Sequence, residues 1–246
     1  MKRHSYLPLL CVLFAGCGAP SAQEQPATET KPATPAEAPA TAPEPTKTYK
    51  VKKAADIELG PGAPPATVEK YRAAMEKAAV EPPPLDTKIA DKVLVVLNTS
   101  RGAVTVELDS KAAPLHVRSF VYLAEKGFFN NTKFHRHADL SGDGKGFIIQ
   151  GGDPLSKAPA TASFAGMGGP GYEIPREFNA LKHDKLVIAA ARSNDPDSAG
   201  SQFYITQGPV NFLDEGYTVF GKVVEGAGFA LRLRQNDVIK TAELKK

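Results

Sequence analysis

Beyond Cys17 the chain has no cysteine, and nowhere does it carry a tryptophan. The other cysteine, Cys11, precedes it. The body of the protein therefore forms no disulfide and offers neither a thiol nucleophile nor a thiolate metal site. An excess of one charge is also missing. The 30 Lys and Arg against 27 Asp and Glu leave a net +3, which gives no general electrostatic case for nucleic acid. Long apolar runs are wanting as well: YLPLLCVLFAG at 6–16 is too short to span a bilayer, which needs about 20 residues. What remains is an ordinary apolar fraction of 42%, unevenly spread.

The first residues read as an address. Lys2-Arg3-His4 supplies a positive start, and the apolar run suits the core of a signal peptide. The run ends in Phe14-Ala15-Gly16-Cys17, which resembles the lipobox of bacterial lipoproteins, with Phe14 in a place more often Leu. That resemblance implies a signal peptide over 1–16, a lipidated Cys17 and a membrane anchor in the bacterial envelope. With Gly18 after the cysteine, it implies the outer membrane facing the periplasm if the host is Gram-negative. The alternative is an ordinary cleaved signal with a stray cysteine. Residues 18–48 are rich in Ala, Pro, Thr and Glu, without Leu, Ile, Val or Phe. Such a segment buries too little surface to offset its ordering entropy. The segment 17–48 thus reads as a tether that reaches up to about 100 Å at roughly 3 Å per residue.

A second region, 49–91, holds one predicted helix at 67–79 (TVEKYRAAMEKAA), with Thr67 as cap and Val68, Tyr71, Met75 and Ala78 on one face. Pro82-Pro83-Pro84 stops it. A lone helix of this length is marginal, so it is expected to pack on the body or on a partner. From Lys92 the texture changes. VLVVL (93–97) and AVTVEL (103–108) read as strands around the turn 98–102. Pro114 opens a helix ending near Gly127. Short strands are expected at 147–150, 186–190, 202–206, 218–224 and 237–244, with a helix at 228–235. Many short strands and few helices indicate a mainly β domain over 92–246, a barrel or sandwich with helices at its ends.

Five sequence blocks then fall in order: FHR at 134–136 with GFIIQGGDP at 146–154; EFN at 177–179 with LKH at 181–183; ARSNDP at 191–196 through AGSQFYI at 199–205; FLD at 212–214; and VFGKV at 219–223. Together they resemble the cyclophilin-type peptidyl-prolyl cis-trans isomerases. The resemblance implies a closed antiparallel eight-stranded β-barrel capped by two helices. It implies a rotamase activity on proline-containing polypeptides, and no cofactor.

The chemistry asks for little. Amide resonance opposes rotation about an X–Pro bond with a barrier of about 18–20 kcal/mol. A catalyst need only bind the twisted amide better than the planar one. In the twisted state the prolyl nitrogen regains a lone pair, to which a permanently charged, planar guanidinium can donate. By the resemblance that donor is Arg136, the catalytic residue. The proline pocket is implied to have walls of Phe147, Ile148, Tyr204, Phe212 and Leu213. Gln150 and Gln202 are implied to orient the peptide carbonyls and Arg136. Ala191 and Arg192 would line the neighbouring groove, and Tyr217 would close one side.

Each residue has a plainer reading. Without its surrounding motif Arg136 reads as a surface ion-pair partner. Phe203 reads as core, because strand alternation turns it away from Tyr204. Gly151-Gly152-Asp153-Pro154 reads as a turn and not a phosphate cradle, and His183 as structural. The chain also departs from the family. Tyr204 and Phe212 stand where the best-known eukaryotic members have Phe and Trp. Ten residues, HADLSGDGKG, separate Arg136 from Phe147 where four are usual. A longer loop costs only about 0.6 kcal/mol per doubling, so the barrel tolerates it. His135, His137, Asp139 and Asp143 are ligand types at short spacing, and 139–144 faintly resembles a calcium loop. The twelfth position is Gln150 and not Glu, so no metal is expected. Three function classes stay open: an isomerase acting as a monomer on exported proteins, a non-catalytic proline-peptide binder, and a structural envelope lipoprotein. No nucleic-acid partner is expected.

Overall fold

The computed structural model describes residues 48–56, 59 and 63–245. The leader, Cys17 and the tether as far as residue 47 lie outside the described residues. Alternation in VLVVL and AVTVEL builds the first hairpin. Strand β2 follows β1 (Lys50–Val51) and helix α1 (Pro65–Ala78) and spans Lys92–Thr99; β3 spans Gly102–Asp109. The two pair in register from Lys92↔Asp109 to Thr99↔Gly102. Val95 and Leu97, with Val104, Val106 and Leu108, are fully buried. Gly102 sits at φ +131°, and a Cβ there would meet the Phe229 ring at 2.7 Å, so the turn needs glycine.

Helix α2 (Pro114–Glu125) has no side-chain cap of its own. Glu177 supplies one from the distant EFN block. Its carboxylate accepts the Leu115 and His116 N–H groups at 2.9 and 3.0 Å and pairs with His116 Nδ1 at 2.6 Å. A carboxylate at a helix N-terminus satisfies orphan donors and complements the helix dipole. The remaining strands are β4 (Thr132–Lys133), β5 (Arg136–Asp139), β6 (Phe147–Gly151), β7 (Tyr172–Glu173), β8 (Val187–Ala190), β9 (Phe203–Thr206), β10 (Val219–Glu225) and β11 (Val238–Leu244), with α3 at Ala227–Ala230 before β11.

The fold is mainly β and antiparallel, with one correction. The main sheet has nine strands in the open order β4-β11-β2-β3-β10-β8-β9-β6-β5, not eight in a closed ladder. The difference lies in one segment, 132–139. Its first half pairs with β11 and its second with β6, and Phe134 and His135 between them change partners. Two helix expectations are also corrected. Helix α1 starts two residues before Thr67, at Pro65, with no side-chain cap; proline is preorganised for a first turn. The helix expected at 228–235 is the single turn α3. Asp237 takes the Arg234 N–H at 2.8 Å, which sets up a turn where the periodicity suggested continued helix.

The main core lies on one face of the sheet. Phe203 is its hub, with Phe120, Phe129 and Phe134 ring centroids at 5.3, 5.8 and 6.3 Å. Such edge-to-face aromatic pairs add about 0.5–1.5 kcal/mol each beyond burial. The helix of the 49–91 region packs on the body: Tyr71 and Met75 are buried against Leu155 and Phe164, and β1 pairs with β7.

Candidate active site

Residues directly opposite in antiparallel strands share a face, and here the register draws a row across five strands. Arg136 of β5 faces Gln150 of β6, which faces Tyr204 of β9, then Ala189 of β8, then Val219 of β10. This row lies on the face opposite the main core, because its neighbours Ile149, Ile205 and Ile188 belong to that core. Ile148, Ala189, Tyr204, Val210 and Val219 form a second buried cluster there, and Leu140, Ala191, Leu213 and Tyr217 pack on it half-exposed.

Arg136 stands at the open end of the row. Its Nη1 donates to Gln150 Oε1 at 3.2 Å. Gln150 Nε2 donates to Gln202 Oε1 at 3.0 Å. Gln202 Nε2 in turn donates to the Gly166 and Gly168 carbonyls at 3.0 and 2.8 Å. A primary amide has two N–H groups, so Gln202 has none left for a peptide in this arrangement. It holds Gln150, and Gln150 holds Arg136. Among the described residues no carboxylate lies within ion-pair distance of Arg136. The plain surface ion-pair reading therefore has no partner there.

The floor is braced from behind. Tyr204 Oη meets His183 Nε2 at 3.0 Å, and His183 Nδ1 meets Asp214 Oδ1 at 2.9 Å. His183 is fully buried. Burial holds its pKa below the usual imidazole value against the opposing pull of Asp214. Burial also keeps the Tyr204 phenol protonated far above its ordinary range. The wall 211–217 carries the rest. Leu213 packs inward, Phe212 is 63% exposed at the rim, and the Tyr217 ring stands edge-on to Tyr204 at 6.2 Å. The Arg192 guanidinium lies over Tyr217 at 4.3 Å and donates to Gly216 O at 2.9 Å, so it is clamped to this wall.

One residue stands apart. Phe147 falls on the opposite face from Ile148 by alternation, and its ring stacks on His137 at 4.9 Å. The structure does not bring it into the cluster of Ile148 and Tyr204. The long hairpin loop after β5 is a closed turn. Leu140 N bonds Gly146 O at 3.0 Å, and Asp139 takes the N–H groups of Ser141 and Gly144. Ser141 Oγ also bonds Asp143. Among the described residues no group of three or more His, Cys, Asp or Glu is arranged to hold a metal.

The model of the family "Cyclophilin type peptidyl-prolyl cis-trans isomerase/CLD" matches residues 94–246. Human peptidyl-prolyl cis-trans isomerase-like 1 is 38% identical over 140 residues, covering 56% of this chain and 78% of the relative. A Helicobacter pylori peptidyl-prolyl cis-trans isomerase (strain ATCC 700392 / 26695) is 33% identical over 160 residues, covering 63% of this chain and 89% of the relative. The crystal structure of a Cryptosporidium parvum cyclophilin-type isomerase superposes with a TM-score of 0.53 at 27% identity, over 63% of this chain and 98% of that one. The chain belongs to the cyclophilin-type peptidyl-prolyl cis-trans isomerase family. It is accordingly an isomerase, and the row from Arg136 to Val219 is its candidate active site.

Proposed function

We propose that the enzyme accelerates X–Pro rotation by donating a hydrogen bond from Arg136 to the prolyl nitrogen as the amide twists. The proline ring rests on Ile148, Tyr204 and Leu213, with Phe212 and Tyr217 at the rim. The observation that carries this reading is the chain from Arg136 through Gln150 and Gln202 to the backbone at Gly166 and Gly168. It fixes a guanidinium beside the apolar cluster of Ile148 and Tyr204 without neutralising it. A hydrogen bond to a charged group contributes about 1.5–3 kcal/mol, a factor of about ten to a hundred in rate if formed only in the transition state. A non-catalytic binder needs no such chain, which is why turnover is favoured over holding. An isomerisation assay that found binding of X–Pro peptides without acceleration would favour the binder.

The clients are exported proteins, and the enzyme works as a monomer on a lipid anchor at Cys17. The anchor and the exported clients rest on the apolar run, the small residues before Cys17 and the proline-rich segment that follows. The address is the bacterial envelope, with the outer membrane facing the periplasm in a Gram-negative host. Cys17→Ser is expected to move the protein from the membrane fraction to a soluble or unprocessed form. Mature Cys17→Ser protein that stayed in the membrane would contradict lipidation.

A further inference from the structure

The 49–81 segment precedes the stretch matched by the family model, which begins at residue 94. It nevertheless grips one loop of the body, 166–173, at several points. Tyr71 Oη donates to Met167 O at 2.7 Å. Val80 N donates to Pro170 O and Lys52 N to Gly171 O, both at 2.8 Å. Strand β1 continues this contact through Lys50↔Glu173 and Val51↔Tyr172, and Lys52 Nζ pairs with Glu173 at 2.8 Å. A Cβ at Gly171 would lie 2.8 Å from the Ala79 Cβ, so the helix end and this loop are in close approach.

The same loop is held from the other side by the active site. Gln202 donates to Gly166 O and Gly168 O. The buried Asp153 carboxylate takes the N–H groups of both glycines. One strip of backbone thus lies between the N-terminal extension and the glutamine that steadies Gln150 and Arg136.

A cavity of about 270 Å³ opens along this strip. Lys52, Tyr71 and Met75 of the extension line it together with Gln150, Arg192 and Gln202 of the site. It therefore shares Gln150, Gln202 and Arg192 with the candidate site. Lys52 is paired with Glu173 and Arg192 is clamped to Gly216, so neither is a free charge facing a ligand. The other walls include Met75, Met167 and Pro170 with glycine backbone. Unbranched methionine side chains adapt to varied apolar shapes.

We infer that the N-terminal extension is part of the substrate site, forming the outer wall of a subsite for an apolar side chain flanking the proline. This rests on the reading of the proline groove given above. The test uses the full chain and a panel of X–Pro peptides in which each flanking position in turn is Gly or Leu. Met75→Phe fills the cavity from the extension side. It is expected to lower the Leu-to-Gly ratio of kcat/KM about tenfold at one flanking position, the scale of a steric change in an apolar pocket. Because Met75 is buried, Lys52→Trp serves as a second variant: this side chain is 46% exposed, so the change needs no repacking of the core, and the same ratio is expected to fall. If Met75→Phe does not fold, Lys52→Trp decides. Ratios unchanged at every position in the folded variants would overturn the inference. Arg136→Ala on the same panel separates the two readings. Full activity in Arg136→Ala would sink the groove assignment itself. Lost activity there, with unchanged ratios in the wall variants, sinks only the role of the extension.

Discussion

Arg136 and Gln150 face each other across adjacent strands, and the only side-chain bond of the guanidinium to another side chain among the described residues is the one to Gln150 Oε1 at 3.2 Å. Gln150 is in turn fixed by Gln202, so it acts through Arg136. Gln150→Ala is expected to lower kcat/KM about tenfold, the scale of one hydrogen bond. In the Arg136→Ala background the same change should add little, because residues that act as a unit are non-additive. Steady-state kinetics on the two single variants and the double variant check this, and fully additive losses would count against it.

Tyr204 differs from a phenylalanine by one hydroxyl, and that hydroxyl is bonded to buried His183. Tyr204→Phe keeps the ring but leaves His183 Nε2 without a partner. The expected cost is about 1–3 kcal/mol of stability, the usual penalty for an orphaned buried polar group. Denaturant unfolding reads this as a lower midpoint, and an unchanged midpoint would show that the brace bears no load.

His135 and His183 have pKa values lowered from 6.5, in both cases chiefly by burial. Their neutral forms are thus the ones the fold favours. Below pH 6.5 the unfolded chain binds protons that the folded chain refuses, so stability falls as pH drops toward the lower folded values. Paired carboxylates such as Asp109, whose pKa is lowered from 3.8, act only at more acidic pH. Unfolding midpoints should fall across the window that runs from pH 7 down through 6.5. A midpoint flat across that window would contradict the assignment.

Much of this site was legible in the sequence because its residues come in contiguous blocks on short strands. Period-two alternation turned Phe203 inward, and Phe203 is the hub of the core. The same rule, applied to β6, separates Phe147 from Ile148; the signal was present but outweighed by the resemblance. The role of Gln202 was not legible in full, because its carbonyl partners lie 34 and 36 residues away in a glycine-rich loop. The partners of Tyr71 and of Glu177 are also distant, 96 residues away at Met167 and 62 at Leu115. Local pattern gives an amphipathic face but not what covers it. The helix expected at 228–235 stopped early because the Asp237 carboxylate, three residues on from Arg234, set the turn.

The measurement that bears most directly on the proposed chemistry is the rate of X–Pro isomerisation in a protease-coupled assay of the wild-type chain, Arg136→Ala and Arg136→Lys. Arg136 is exposed and its side chain is outside the core, so all three are expected to fold alike by circular dichroism. Arg136→Ala should lose on the order of 10- to 100-fold in kcat/KM, the worth of one charge-assisted hydrogen bond. Arg136→Lys should recover little, because an ammonium lacks the planar fork that reaches both Gln150 and the substrate. Near-native turnover in a folded Arg136→Ala variant would contradict the account.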